Sequence, residues 1–192
     1  MHEISFAACY SDQASMILRE CLQALNAISA KETEALVQQV LEAEKIFFVG
    51  VGRVLLSLKA IAKRWAHLGL STHIVGDITE PSISNRDILI VGSGSGESLV
   101  PVAIAKKAVE LGAKVVYIGS NAESTIANLS ALMVRIPVRT KLNKPDEIAS
   151  LQPMTSLFEQ SLLLYGDAIA AMIIRTKQID MNSLWYTHAN LE

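Results

Sequence analysis

Between Asp87 and Ser98 the chain reads DILIVGSGSGES, an aliphatic run that breaks into alternating glycine and serine. Gly92, Gly94 and Gly96 are interleaved with Ser93 and Ser95, and Ser98 follows Glu97. Glycines let successive backbone N–H groups face one point as a nest, and a helix N-terminus adds positive potential. Ser93, Ser95 and Ser98 each bring a hydroxyl donor to the same place. A phosphate is the ligand that such a loop suits, with no cationic side chain required. The competing reading is a glycine-rich turn in which Ser98 caps the next helix.

A second turn, GVGRVL from Gly50 to Leu55, also follows a short aliphatic run. It lacks the third glycine of a dinucleotide fingerprint, and neither loop ends in the lysine-serine pair of a nucleotide-triphosphate loop. Gly50 and Gly52 could bring Arg53 to the mouth of a phosphate site, or Arg53 could be a surface residue in a turn.

Three acids and two histidines complete the candidates. Glu159 lies inside an apolar stretch, flanked by Leu157, Phe158 and Leu162. An unpaired carboxylate is expensive there, so Glu159 is either functional or paired with a base such as Arg64. Glu147, where a polar segment enters that stretch, could cap a helix or touch a ligand. Glu97, expected in the first turn of its helix, could serve as a base or complement the helix dipole. His67 shares a helix face with Arg64 three residues earlier, and His188 sits in the tail. Each could act on a carbonyl or be a structural donor. His73 and His2 carry no signal. No His/Cys/Asp/Glu cluster has metal-ligand spacing, so neither a metal nor a cofactor is expected.

Short aliphatic runs alternating with helical patterns must position these residues. Strands are expected at Ile46–Val49, Thr72–Val75, Ile88–Val91, Val115–Ile118 and Leu132–Ile136. Helices are expected at about Asp12–Ile28, Lys31–Ala43, Val54–Leu68, Leu99–Leu111 and Ser124–Leu129, with Gly69 and Gly112 closing two of them. Continuously apolar strands between helices predict an α/β three-layer sandwich, a five-stranded parallel sheet covered on both faces. Val138–Glu147 is polar and reads as an exposed loop. From Ile148 to Thr176 the pattern is a long helix apolar almost all round, which demands cover on every side. The tail Met181–Glu192 is expected to pack on a neighbour or over a site.

Composition bounds the rest. With 192 residues a single domain, 1–192, is expected. A 51% apolar and 19% charged composition, with mean hydropathy +0.33, exceeds what one small core absorbs. Leu162–Ile174 is too short for a membrane span and carries Asp167, and the N-terminus has no secretory pattern. The surplus is therefore assigned to self-association through helices 11–43 and 148–192. Net charge −2 gives no nucleic-acid footprint. Cys9 and Cys21 read as buried thiols on one helix, which fits a reducing cytoplasm.

The SGSGES loop and the earlier GVGR turn resemble the sugar isomerase (SIS) domain family of phosphosugar isomerases and binding modules. RWAHLG (Arg64–Gly69), LQPMTSLFEQSLLLYGDA (Leu151–Ala168) and HANLE (His188–Glu192) resemble its 6-phospho-3-hexuloisomerase branch, and the likeness spans essentially the whole chain. The resemblance implies a flavodoxin-like topology and conversion of 3-hexulose 6-phosphate to fructose 6-phosphate, without a cofactor. It also implies the ribulose monophosphate route and a homotetramer, a dimer of dimers, with active sites at subunit interfaces. By the same likeness Glu159 matches the catalytic base. Val54 and Leu55 depart from the family's serine and glycine, and Thr187 stands where an arginine is usual.

Moving a carbonyl from C3 to C2 of a sugar requires a base, a proton donor and an oxyanion partner for a cis-enediolate. A carboxylate and an imidazole suffice. Two alternatives stay open: a non-catalytic phosphosugar sensor, and an isomerase of another ketose or aldose phosphate.

Overall fold

The computed structural model describes residues 6–191; Met1–Ser5 and Glu192, and with them His2 and the last residue of HANLE, lie outside the described residues. In chain order the elements are α1 (Phe6–Asn26), α2 (Ala30–Glu42), β1 (Ile46–Val49), α3 (Gly52–His67), β2 (Thr72–Ile74) and β3 (Ile88–Gly92). There follow α4 (Leu99–Glu110), β4 (Lys114–Gly119), α5 (Thr125–Leu129), β5 (Leu132–Arg135), α6 (Ser156–Lys177) and a short 3₁₀ turn, Met181–Tyr186.

The strands form one parallel sheet in the order β2-β1-β3-β4-β5, the flavodoxin arrangement anticipated above. Side chains alternate between its two faces. Ile46, Phe48, Ile88 and Ile90 join residues of α1, α2, α3 and α6 in one apolar layer. Phe47, Val49, Leu89 and Val91 pack with residues of α4 and α5 in the other. Crossover helices cover both faces, which is why the central strands are apolar throughout.

Gly69 and Gly112 close α3 and α4 at φ +82° and +84°, the left-handed conformation that glycine adopts without a Cβ penalty. Gly166 does different work. A Cβ there would lie 2.3 Å from Ile61, so its absence lets α6 close on α3, and Trp65 Nε1 donates to the Gly166 carbonyl at 3.0 Å. This close helix pair sets the N-termini of α3 and α6 side by side at the carboxyl edge of the sheet.

Two expectations need correction. The last long helix starts at Ser156, not Ile148, because Pro153 disfavours helical backbone in the residue before it and Met154 adopts φ +55°. Cys9 is exposed although it shares α1 with buried Cys21; α1 turns only one side to the core. The tail touches its own chain at the end of α3: Thr187 Oγ1 donates to the His67 carbonyl at 2.7 Å, and the His188 ring lies 5.2 Å from that of His67.

By length and composition α6 could span a membrane, but Leu157, Phe158, Leu162, Ile169 and Ile173 are buried in the core. Its outward side keeps Leu164 and Met172 exposed, so within one chain it is covered on one side only.

Candidate functional site

The loop after β3 and the turn after β1 meet beyond the carboxyl ends of adjacent strands, where the strand order reverses. Between them lies a cavity of about 520 Å³. It is lined by Gly92, Ser93, Gly94, Ser95 and Ser98 on one side, and by Gly52, Arg53 and Val54 on another. Thr155, Phe158 and Glu159 close it from the start of α6, and Thr140 and Lys141 from the loop after β5.

The serine loop is shaped for an anion. Its carbonyls are drawn away from the cavity. Tyr117 OH donates to Ser93 O at 2.9 Å, Ser120 N and Asn121 N both donate to Gly94 O at 3.2 Å, Asn121 Nδ2 to Ser95 O at 3.1 Å, and Ile126 N to Gly96 O at 3.2 Å. A trans peptide places its N–H opposite its carbonyl, so the Gly94 and Ser95 amides face the other way, into the cavity. Burial pushes the Tyr117 phenol far above its usual range, so it remains a donor to the loop at any working pH.

Gly96 bends the loop at φ +69°, where a Cβ would sit 2.1 Å from Ser124 Oγ. Ser98 stands at the N-cap position of α4 but makes no capping bond with its side chain, and its hydroxyl lies 3.5 Å from that of Ser93 at the cavity wall. That geometry favours the anion reading over a plain cap.

Glu159 is buried in the first turn of α6 and is paired, though with Arg53 and not with Arg64. Arg53 Nε donates to Oε2 in a charge-assisted bond, and Thr155 Oγ1 donates to Oε1 at 3.0 Å. Ser57 Oγ fixes the backbone by donating to the Glu159 carbonyl at 2.9 Å. Arg64 instead lies near Asp167 and His67.

The other acids are placed elsewhere. Glu97 precedes α4 and caps α5, accepting from Thr125 N at 2.6 Å and Thr125 Oγ1 at 2.8 Å; these bonds hold its carboxyl below the usual range. It does not line the cavity, so its geometry does not suit the role of base. Glu147 lies nine residues ahead of α6 and cannot cap it. Its carboxylate gathers its own loop, accepting from Thr140 N at 3.0 Å, Thr140 Oγ1 at 2.7 Å and Lys144 N at 3.1 Å.

His67 and His188 stack at the far end of α3. That helix is 16 residues long, about 24 Å at 1.5 Å per residue, so neither ring reaches the cavity of its own chain. Gly50 lies under the cavity rather than on it: a Cβ there would stand 2.9 Å from Leu58.

Sequence reasoning missed Thr140, Lys141 and Thr155. Thr155 had a usable signal, four residues before Glu159 at helical spacing. Thr140 and Lys141 belong to an aperiodic polar loop and gave none.

The SIS domain family matches residues 39–171 of the chain. The chain is 36% identical over 182 residues to 3-hexulose-6-phosphate isomerase of Bacillus subtilis, covering 95% of this chain and 98% of that protein. It is 32% identical to the enzyme of the same name from Mycobacterium gastri, over 95% and 91% of the two chains. In structure it resembles a Methanococcus jannaschii protein whose crystal structure infers a molecular function of 3-hexulose-6-phosphate isomerase. The TM-score is 0.82 and the identity 25%, over 94% of this chain and 99% of that one.

Proposed function

The chain belongs to the SIS domain family, and on that premise we propose that it is a phosphosugar isomerase interconverting 3-hexulose 6-phosphate and fructose 6-phosphate. The observation that carries this reading is the sharing of one cavity by an anion-binding loop and a buried carboxylate. The hydroxyls of Ser93, Ser95 and Ser98 and the amides of Gly94 and Ser95 hold the phosphate, and Glu159 faces the carbons of the sugar.

Glu159 takes the proton from C2 of the 3-ketose, and the electron pair forms a C2–C3 double bond while negative charge develops on O3. The O2 proton passes to O3, and Glu159 returns the proton it took to C3, which leaves the carbonyl at C2 and a hydroxyl at C3. Arg53, beside the carboxylate, is placed to offset the charge on the enediolate oxygens.

We place the enzyme in the ribulose monophosphate route, in the cytoplasm, where Cys9 and Cys21 stay reduced. It assembles as a homotetramer, a dimer of dimers, which would cover Phe6, Tyr10, Leu18 and Leu22 of α1 and Leu164 and Met172 of α6. In that assembly His67 and His188, remote from their own cavity, serve the site of a neighbouring subunit.

Incubation with fructose 6-phosphate in deuterated water tests the reading. Deuterium at C3 is the expected result. Tight binding with no exchange would instead make the protein a phosphosugar sensor.

A further inference from the structure

The loop after β5 is closed at its base by a bridge between Val138 and Ile148, with Arg139 N donating to Ile148 O at 2.9 Å and Ile148 N to Pro137 O at 2.7 Å. From this loop Lys144 reaches across to the end of β4. Its Nζ donates to Asn121 Oδ1 at 2.8 Å and to Glu123 Oε2 at 2.9 Å. Asn121 is buried, and its own amide donates to the Ser95 carbonyl at 3.1 Å. Two hydrogen bonds in series thus run from a half-exposed lysine through Asn121 to the floor of the serine loop.

We propose that Lys144 and Asn121 are positioning residues for the phosphate site: Lys144 fixes the Asn121 amide, which holds the Ser95 carbonyl out of the cavity and keeps the loop's N–H groups aimed at the ligand. Glu147 supports them by accepting from the Lys144 amide at 3.1 Å and from Thr140, whose methyl lies 3.2 Å from where a Gly94 Cβ would be. The inference rests on the phosphate reading of the cavity.

A purely structural role would look different. The Lys144–Glu123 pair joins side chains that are 30% and 87% exposed, and exposed ion pairs contribute little to folding stability. Loss of Lys144 therefore leaves the fold standing and disturbs the alignment of the cradle. With carbonyl Ser95 no longer held, its dipole can turn toward the anion, which opposes binding.

The test uses full-length Lys144→Met, Lys144→Arg, Glu147→Gln and Asn121→Ala, measured against wild type for fructose 6-phosphate turnover and for binding of inorganic phosphate by calorimetry. Lys144→Met and Glu147→Gln should raise KM and the phosphate Kd by about fivefold, with kcat within about twofold and the melting temperature unmoved. Lys144→Arg should recover most of the affinity. Asn121→Ala should show the larger loss; if it fails to fold, Lys144→Met alone decides. Wild-type KM and Kd in Lys144→Met overturn the proposal. A wild-type protein that binds neither ligand overturns the phosphate reading itself.

Discussion

Arg53 and Glu159, 106 positions apart in the chain, meet as an ion pair on the wall of the cavity. The arginine side chain is 64% exposed and the glutamate 9%, so an exposed cation covers a buried anion beside the serine loop. Arg53→Met should lower kcat/KM by at least about tenfold, because it leaves a buried carboxylate unpaired and removes an oxyanion partner. Arg53→Lys should recover only part, since an ammonium lacks the planar fork of donors. Steady-state kinetics of the three proteins check this.

In the proposed phosphate site Ser95 offers both a hydroxyl and an amide to the anion. Its hydroxyl also accepts from Glu97 N at 3.3 Å, closing the loop on itself. Ser95→Ala should raise KM by about 10- to 100-fold, the loss expected for a hydrogen bond to a charged group, with a much smaller change in kcat. An unchanged KM would remove Ser95 from the phosphate site.

Gly96 has no room for a side chain and sits at φ +69°. Gly96→Ala should cost about 1–3 kcal/mol of stability through steric and backbone strain, and should abolish phosphate binding in the fraction that folds. Chemical denaturation and calorimetry measure the two effects separately.

Asp87 anchors the opposite end of β3. Burial acts to raise its carboxyl, but Ser84 N at 2.6 Å, Ser84 Oγ at 2.8 Å and the Lys45 ammonium at 3.2 Å outweigh it, and the group titrates below the usual carboxylate range. A depressed folded-state pKa contributes stability above the unfolded-state value, lost as pH falls through the folded one. Unfolding free energy should therefore decline on acidification below the ordinary carboxylate range. Asp87→Asn, destabilised at neutral pH, should lose less over the same interval. Parallel pH curves for the two proteins would refute this.

If His188 acts in a neighbour's site, two inactive proteins should complement each other. Mixing His188→Ala with Glu159→Gln under subunit exchange should restore a measurable share of turnover, because some sites receive an intact residue from each parent. No recovery after verified exchange would return His188 to a structural role beside His67.

The sheet was legible because strands such as Ile88–Gly92 are buried on both faces and read as unbroken aliphatic runs. The serine loop was legible because glycine and hydroxyl residues follow such a strand. The start of α6 was misplaced because Ile148 continues an apolar pattern that Pro153 interrupts only five residues later. The partner of Glu159 could not be read at all. It depends on how closely α3 meets α6 at Gly166, a distance set by the packed core and not by local spacing. The hydrogen-bond partners of Glu97 and Glu147 were not legible for a related reason: carboxylates beside loops find backbone donors, and which ones they find is decided by the loop's closure.

In the proposed reaction Glu159 performs chemistry on a sugar whose phosphate is held by a separate set of groups. Solvent-hydrogen exchange and binding, both measured on Glu159→Gln with fructose 6-phosphate, test it most directly. The expected result is a Kd within about threefold of wild type and an exchange rate lowered by about 10²- to 10⁴-fold, the range for loss of a general base. Exchange at a near-wild-type rate in that variant would contradict it.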